Sequence, residues 1–180
     1  LKSVEICFLI ENANHYRLLE PVFGSDIDVT IRIWRAENMS STAQVSASKR
    51  IEALLDDNSF VEIGGYVTAR STDFNMQQKE TPADGVITGY GVIEGNLVYV
   101  YSQDATVMNG SIGEMHAKKI AKLYQMALKV GAPVIGFIDC AGLRLQEATD
   151  ALNGFGEIYM QQTLASGVIP QITAIFGTCG

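Results

Sequence analysis

The stretch KVGAPVIGFIDCAGLRLQEA, residues 129–148, decides the fold. Its centre, VIGFI at 134–138, is a continuous apolar run of the kind that parallel sheets bury on both faces. Gly131 and Pro133 stand before it in the order that ends a helix. After the run come the small residues of CAGLR, 140–144, where a strand meets a loop. This order predicts a layered α/β domain.

A long helix is predicted ahead of this strand. Ser111 and Glu114 have the spacing of a capping box, in which the Ser side chain accepts an early backbone N–H and the Glu side chain reaches back. Apolar residues then recur at intervals of three and four, which gives one face to pack on a sheet: Ile120, Leu123, Tyr124, Ala127 and Leu128.

Further elements extend the same plan in both directions. Residues 84–104 predict two strands joined at Glu94-Gly95-Asn96, a hairpin signal. Residues 151–166 predict a helix that Gly167 ends, and QITAIFG at 171–177 predicts the next strand. Upstream, a short helix carries Ile51, Leu54 and Leu55, and residues 65–84 are expected to form a polar, irregular loop.

Residues 1–38 differ from the rest. VEICFLI at 4–10 is strand-like, and DIDVTIRIW at 26–34 alternates apolar and polar residues as a half-buried strand does. Two interpretations stay open, a small native appendage or upstream sequence joined to a gene that starts at Met39, and the second is favoured slightly. The chain stops on a glycine turn straight after a predicted strand, so we expect truncation at Gly180.

Composition limits the classes of function. A net charge of −7 and a pI near 4.8 argue against nucleic acid as a partner. The three cysteines lack zinc-like spacing and are interpreted as reduced thiols, and with only two histidines no metal site is expected. The N-terminal apolar run is too short to span a bilayer and lacks a signal-like cleavage site, which favours a soluble, cytoplasmic protein.

Several single residues and motifs have two interpretations each. GYGVIEG lies inside the predicted hairpin, so close packing is favoured over dinucleotide binding. His116 is interpreted as a partly exposed structural histidine rather than a ligand, and Cys140 and Cys179 as small buried residues rather than nucleophiles. Asp104 is either a loop carboxylate or, more commonly for such a position, a helix cap.

The two turns that follow strands carry the main functional hypothesis. DCAGLR at 139–144 and GTCG at 177–180 place small residues where backbone N–H groups lack internal partners. Two such turns on neighbouring strands could aim two donors at one oxygen and form an oxyanion hole. From spacing alone, ordinary turns are an equally good interpretation.

The region 46–180 closely resembles the N-terminal half of acyl-CoA carboxyltransferases, the carboxyltransferase subunits of biotin-dependent carboxylases such as those acting on propionyl-CoA and methylmalonyl-CoA. The segments that carry the resemblance are DGVITGYGVIEGNLVYVYSQDATVMNGSIGEMHAKKI, KVGAPVIGFIDCAGLRLQEA, GFGEIYMQQTLASGVIPQI and FGTCG. The resemblance implies an α/β fold of the crotonase-like type, a spiral of ββα units. It also implies an N-terminal carboxyltransferase domain over 46–180, incomplete at its C-terminus, behind a non-matching extension over 1–45.

The resemblance also implies a site. The family's turn usually reads Ser-Gly-Gly-Ala-Arg, and its amides hold the thioester oxygen as enolate charge develops. By this match the backbone N–H groups of Gly142 and Leu143 are the expected donors, with Gly180, or a residue beyond it, as a donor from the second turn. Ala141, Arg144, Gln146 and Glu147 are expected to support the turn or to contact substrate. Ala141 and Leu143 depart from the usual residues, which leaves the acyl group open.

The implied reaction is carboxyl transfer between carboxybiotin and an acyl-CoA, in which the freed ureido group of biotin accepts the α-proton and the enolate attacks CO2. Biotin would be carried on a separate carrier domain, because no attachment motif of the AMKM type occurs here. The implied partners are a biotin carboxyl carrier, a biotin carboxylase or decarboxylase subunit, and further copies in a homo-oligomer.

Three alternatives stay open beside this hypothesis. The decarboxylase branch, acting on glutaconyl- or methylmalonyl-CoA with a sodium-pumping partner, uses the same site in the other direction. A chain of this length could instead serve only as a CoA-binding or assembly module. A hydratase of the wider crotonase class would need a pair of catalytic glutamates, for which Glu147 and Glu157 are the candidates.

Overall fold

The computed structural model describes residues 5–8, 46–70 and 73–180, and in this part of the chain the strands form one mixed sheet. Its order is β1-β6-β5-β4-β3-β2, with β2, β3 and β4 antiparallel and β4, β5, β6 and β1 parallel. The strands are β1 (Glu5–Phe8), β2 (Val61–Glu62), β3 (Val86–Ile93), β4 (Asn96–Gln103), β5 (Val134–Cys140) and β6 (Gln171–Cys179).

Helices cover both faces of the sheet. The helices are α1 (Ala47–Leu54), α2 (Glu114–Val130) and α3 (Ala148–Ala165). On one face α1 packs Ile51 and Leu54 against Ile135 and Phe137 of β5. On the other face α2 and α3 share a second cluster, whose buried members include Tyr101, Ile120, Leu123, Tyr124, Val134 and Ile158. Strand β5 is therefore covered on both faces, which confirms the prediction made from its continuous apolar run.

The predicted hairpin is confirmed. Strands β3 and β4 pair from Val86↔Gln103 to Ile93↔Asn96, and Glu94 and Gly95 form the connection. Both residues have positive φ, 50° and 83°, as a two-residue turn that matches the twist of the strands requires. The GYGVIEG segment therefore lies in a hairpin, which supports its interpretation as a packing motif.

Helix α2 confirms the predicted apolar stripe and the predicted end, but not the predicted start. Gly131 closes it in the left-handed conformation, with its N–H donating to Ala127 O. The helix begins at Glu114 with Gly113 as its N-cap residue, and the Ser111 hydroxyl instead donates to Met108 O at 2.7 Å. The capping box is therefore wrong, because Ser111 lies outside the first turn.

The remaining predicted elements are found close to their expected places. Helix α3 and strand β6 cover the predicted segments, and residues 65–84 contain only short 3-10 turns among the described residues. In the N-terminal region β1 pairs in parallel with β6, which confirms a strand within residues 4–10. The predicted strand at 26–34 and Met39 lie outside the described residues. None of the described helices is long and apolar enough to cross a membrane.

Candidate functional site

The two turns singled out in the sequence lie side by side at one edge of the sheet. Strands β5 and β6 are parallel neighbours, and Cys140 is the register partner of Cys179 where they end. A methyl group added at Gly180 would stand 2.8 Å from the carbonyl carbon of Ala141 and 2.9 Å from the nitrogen of Gly142. The turns are therefore in direct backbone contact, as the hypothesis of a shared site requires.

The first turn presents one backbone donor to its open side. A parallel bridge joins Leu143 to Ile112, in which Ile112 N–H donates to Gly142 O at 2.9 Å and Arg144 N–H donates to Ile112 O at 3.0 Å. In such a bridge the N–H of the bridged residue itself points the other way. The structure shows no partner for the Leu143 N–H among the described residues, and Leu143 is only half-buried.

Gly142 shapes this turn through its own backbone. Its φ of +96° lies where side chains are disfavoured, and the turn depends on that conformation. Its N–H lies 3.2 Å from the Cys140 sulfur. Thiol sulfur is a weak acceptor, so this contact holds the N–H only loosely and leaves it available to a better acceptor.

In the second turn, the Gly180 N–H is already used within the sheet. The Gly180 N–H donates to the carbonyl oxygen of Cys140 at 2.9 Å, which continues the pairing of β5 with β6. This corrects the expectation that Gly180 donates to a ligand, because sheet pairing already uses its only N–H.

Arg144 fixes the turn from beneath, as the resemblance implied. It is 1% exposed, and its Nη1 donates to Asp84 Oδ1 at 2.5 Å and to Glu147 Oε1 at 2.9 Å. Its Nη2 donates to Ser111 O at 2.8 Å. A guanidinium offers five donors in a fixed fork, so one side chain ties the turn to three segments. Its burial and these bonds favour support of the turn over direct contact between Arg144 and substrate.

The other predicted supporting residues divide into two groups. Glu147 is buried at 6% exposure and accepts from both Arg144 and the backbone of α2. Gln146 is half-buried with no side-chain hydrogen bond among the described residues, and Ala141 is exposed. The prediction that hydrogen bonds fix the turn is thus confirmed for Arg144 and Glu147 and finds no support for Gln146.

Glu114 opens α2, and its side chain is largely buried. Instead of reaching back to a cap, it pairs with Arg70 at 2.6 Å and with Lys118 at 2.6 Å. The hydrogen bonds from Lys118 and Arg70 hold the pKa of the Glu114 carboxyl below its usual range. Glu114 is therefore an anion with two cationic partners.

His116 is fully buried, which corrects its interpretation as partly exposed. Its Nδ1 lies 2.9 Å from Asp84 O, which can only accept, so Nδ1 carries the proton. Its Nε2 lies 3.1 Å from Gln103 Nε2 and accepts from that amide. Burial lowers the pKa of His116 to about 3. Both ring nitrogens are engaged in the neutral state, so His116 is a structural residue, as expected.

A second buried ion pair holds the site from the α1 face of the sheet. Arg50 Nη2 donates to Asp139 Oδ2 at 2.8 Å, and Nη1 donates to Gln103 O at 3.2 Å. The guanidinium also stacks over the Phe176 ring, 4.8 Å from its centroid. Arg50 thus joins β4, β5 and β6 where they approach the site.

Sequence reasoning missed Arg50, Asp84 and Gln103 as members of this network. A signal for Arg50 was present, because it occupies the buried face of α1 between Ala47 and Leu54. An arginine on an apolar helix face needs a buried acid as its partner. No comparable signal marks Asp84, whose partners lie 32 and 60 residues further along the chain.

The remaining predictions concern cysteines, Asp104 and metals. Cys140 is 3% exposed, as predicted, whereas Cys179 is exposed, which corrects its interpretation as buried. Asp104 Oδ1 accepts from the N–H and hydroxyl of Thr106, so it stabilises a loop rather than capping a helix. Within the described part of the chain no cluster of three or more His, Cys, Asp and Glu side chains could hold a metal ion.

The family model for the carboxyl transferase domain matches residues 41–180. The chain belongs to the carboxyl transferase domain family. Two similar proteins are the methylmalonyl-CoA decarboxylase subunit alpha of Veillonella parvula, 50% identical, and the propionyl-CoA carboxylase beta chain of Roseobacter denitrificans, 48% identical. Each match covers 145 residues, which is 81% of this chain and 28% of the relative, so the chain spans under a third of these relatives' length.

Solved structures confirm the carboxyltransferase, crotonase-like fold. The transcarboxylase 12S hexamer with methylmalonyl-CoA and methylmalonic acid bound superposes with a TM-score of 0.76 at 40% identity, covering 83% of this chain and 28% of that one. A Pseudomonas malonate decarboxylase hetero-tetramer in complex with malonate follows at a TM-score of 0.67 and 25% identity, covering 78% and 54%. Strands β3 and β4 with helix α2 form one ββα unit of the family's spiral.

Proposed function

We propose that this chain supplies the acyl-CoA half of a biotin-dependent carboxyltransferase site. The thioester oxygen of an acyl-CoA of the propionyl or methylmalonyl type would lie against the backbone N–H of Leu143, with the N–H of Gly142 as second donor. Loss of the α-proton gives an enolate, whose negative oxygen both donors stabilise. One such donor contributes about 2.7–4 kcal/mol, or about 10²–10³ in rate.

The observation that carries the proposal is the orientation of the Leu143 N–H. The bridge to Ile112 uses the carbonyl of Gly142 and the N–H of Arg144, on either side of Leu143. The N–H of Leu143 therefore points away from Ile112, to the open side of the turn. Arg144 locks the turn in that orientation through buried hydrogen bonds, so the donor is fixed before any ligand arrives. A preorganised donor needs no rearrangement when charge develops.

The partners follow from the family and are part of the proposal. Biotin, when bound to a separate carrier, supplies the carboxyl group and accepts the α-proton, so the described turn needs only to bind and polarise the thioester. We further infer a biotin carrier and a carboxylase or decarboxylase subunit as partners, assembly into a homo-oligomer, and a cytoplasmic location. Sequence similarity to both carboxylases and a decarboxylase leaves both directions of transfer within the proposal.

The hydratase alternative finds no support in the site. Glu147 is bonded to Arg144 and to the backbone of α2, whereas Glu157 lies two turns along α3, where it accepts from Asn153 at 3.4 Å. The CoA-binding module stays as the second candidate, and the measurement described next separates the two.

Carbon NMR of bound [1-13C]propionyl-CoA tests the proposal. We expect a downfield shift of the carbonyl signal on binding, because two N–H donors polarise the thioester, and exchange of the α-protons in D2O when free biotin is added. Binding without a carbonyl shift would favour the module that only holds CoA. Absence of any binding, with free CoA as the comparison ligand, would refute both candidates.

A further inference from the structure

Two free cysteines lie next to each other where the two turns meet, and no step of the proposed function uses them. Cys140 ends β5, Cys179 ends β6, and the two are register partners. The bond from Gly180 N–H to Cys140 O, 2.9 Å long, fixes the strands at this point. Paired strands run about 4.8 Å apart, inside the range of about 4.4–6.8 Å between Cα atoms that a disulfide bridges.

The two side chains lie on the same face of the sheet. Register partners on neighbouring strands project to one side, and Cys140 belongs to the cluster formed with α2. Both thiols also act on the buried hydroxyl of Tyr101. Burial and Tyr124 raise its pKa most, and Cys179 and Cys140 add to that effect.

We propose that Cys140 and Cys179 form a redox-active pair, closed to a disulfide by a low-molecular-weight disulfide of the glutathione class. The exposed Cys179 is the attacking thiol, because the buried Cys140 is shielded from reagents in solution.

The exchange balances in two steps. The Cys179 thiolate attacks one sulfur of the small disulfide, forms a mixed disulfide and releases one thiolate. The Cys140 thiol then loses its proton and attacks the Cys179 sulfur, forming the Cys140–Cys179 bond and releasing the second small thiol. The two protein thiols lose two electrons and two protons, and one small disulfide becomes two thiols.

Closure of this pair changes the proposed site. In the reduced chain the Cys140 sulfur lies 3.2 Å from Gly142 N, and a bond to Cys179 draws that sulfur towards β6. The Gly142 peptide then loses the contact that orients its N–H beside that of Leu143, and the turn is drawn towards the end of the neighbouring strand, so one of the two donors no longer reaches the thioester oxygen. This consequence rests on the proposed function, whereas formation of the disulfide does not.

Peptide mapping tests the pair directly. The reduced 180-residue chain is incubated with oxidised glutathione, unfolded in the presence of an alkylating reagent, and cut with trypsin. Cleavage after Lys129 and Arg144 separates Cys140, in peptide 130–144, from Cys179, in peptide 145–180, and Cys7 falls in peptide 3–17. We expect peptides 130–144 and 145–180 joined with loss of two hydrogen atoms.

Variants make the outcome decisive. Cys7→Ser should give the same cross-link, and Cys140→Ala should stop at a glutathione adduct on Cys179. A lasting Cys179 adduct in the parent chain with Cys140 alkylated, a link to Cys7, or no reaction would each overturn the pair.

Acyl-CoA binding separates the pair from the proposed function. Cross-linked Cys7→Ser chain should bind propionyl-CoA at least about tenfold more weakly than the same chain after reduction, the order of one lost ligand hydrogen bond. Equal affinity in both states would overturn the effect on the site. A cross-link in a chain whose reduced form binds no acyl-CoA would refute the proposed function and leave the pair established.

Discussion

Glu147 caps the N-terminus of α2 by accepting the backbone N–H of Glu114 at 2.6 Å, while its other oxygen accepts from Arg144. One carboxylate therefore satisfies an orphan helix donor and neutralises part of the charge beneath the turn. Gly113 makes room for it, because a methyl group there would stand 2.5 Å from Arg144 Nη1 and 2.6 Å from Glu147 Oε1.

Replacing this carboxylate should lower stability sharply. Glu147→Ala leaves Arg144 with one buried acid and Glu114 N–H without its acceptor, so we expect a loss of about 3–5 kcal/mol in the free energy of unfolding. Glu147→Gln keeps an acceptor for Glu114 N–H and should lose less. Urea unfolding measures both, with Glu157→Ala on the following helix, α3, as the control, expected within about 0.5 kcal/mol of the parent. Equal losses of stability in Glu147→Ala and Glu157→Ala would contradict the capping role of Glu147.

His116 should make stability depend on acidity. Its pKa is lowered to about 3 in the folded state, mainly by burial, against about 6.5 when unfolded. The unfolded chain therefore takes up a proton first, and stability present above pH 6.5 is lost as the pH falls towards 3, by about 1.4 kcal/mol per pH unit. Asp84 opposes this at the acid end, because burial raises the pKa of its carboxyl despite Arg144.

The comparison of parent and His116→Gln isolates this effect. The urea midpoint of the parent should decrease as the pH is lowered from 6.5 to 5, a range in which carboxylates titrate little. The midpoint of the variant should decrease less steeply. Parallel curves would show that another group is responsible.

Ala148 begins α3 in a strained conformation, with φ 43° and ψ −115°. Strain of this kind costs about 1–3 kcal/mol for a residue with a Cβ and little for glycine. We expect Ala148→Gly to raise the free energy of unfolding by about 1 kcal/mol, measured by thermal or urea unfolding. Ala151→Gly, one turn into the same helix, should instead lower it by about 1 kcal/mol or more. A loss at both positions would argue against strain at Ala148.

Arg50 should matter far more than its neighbour on α1. Arg50→Met removes the buried ion pair with Asp139 at 2.8 Å and the contact to Gln103 O, so a loss of about 3–5 kcal/mol is expected. Lys49→Met, on the exposed side of the same turn, should change stability by less than about 0.5 kcal/mol. Chemical denaturation of the two variants side by side is the measurement, and similar values would refute the buried role.

Gly142→Pro tests the turn itself. Proline cannot adopt the φ of +96° and has no N–H, so the carbonyl shift of bound [1-13C]propionyl-CoA should be lost. Circular dichroism establishes whether the variant is folded. Gly142→Ala keeps the N–H, meets no atom closer than 3.6 Å and carries only the backbone strain, so part of the shift should return. An unchanged carbonyl signal in a folded proline variant would remove Gly142 from the site.

Local signals in the sequence predict the elements of this fold, and long-range pairing explains where they fail. Glu94-Gly95 predicts the hairpin because turn geometry depends on adjacent residues. Ser111 fails as a cap because Glu147, 33 residues after Glu114, accepts the Glu114 N–H of α2 instead. The burial of His116 depends on Asp84 and Gln103, which come from two other segments. The two turns could be placed together because parallel strands end at the same sheet edge.

Gln103 gives the site a consequence for protein engineering. Its side chain accepts from Asp139 N–H and donates to His116, while its carbonyl accepts from Arg50, so one residue at the end of β4 connects both faces of the sheet. The turn over residues 140–144 therefore depends on several other segments of the chain for its conformation. Grafting it onto another scaffold would require transplanting its polar partners from several chain segments together, and a graft of the turn alone should lose its shape.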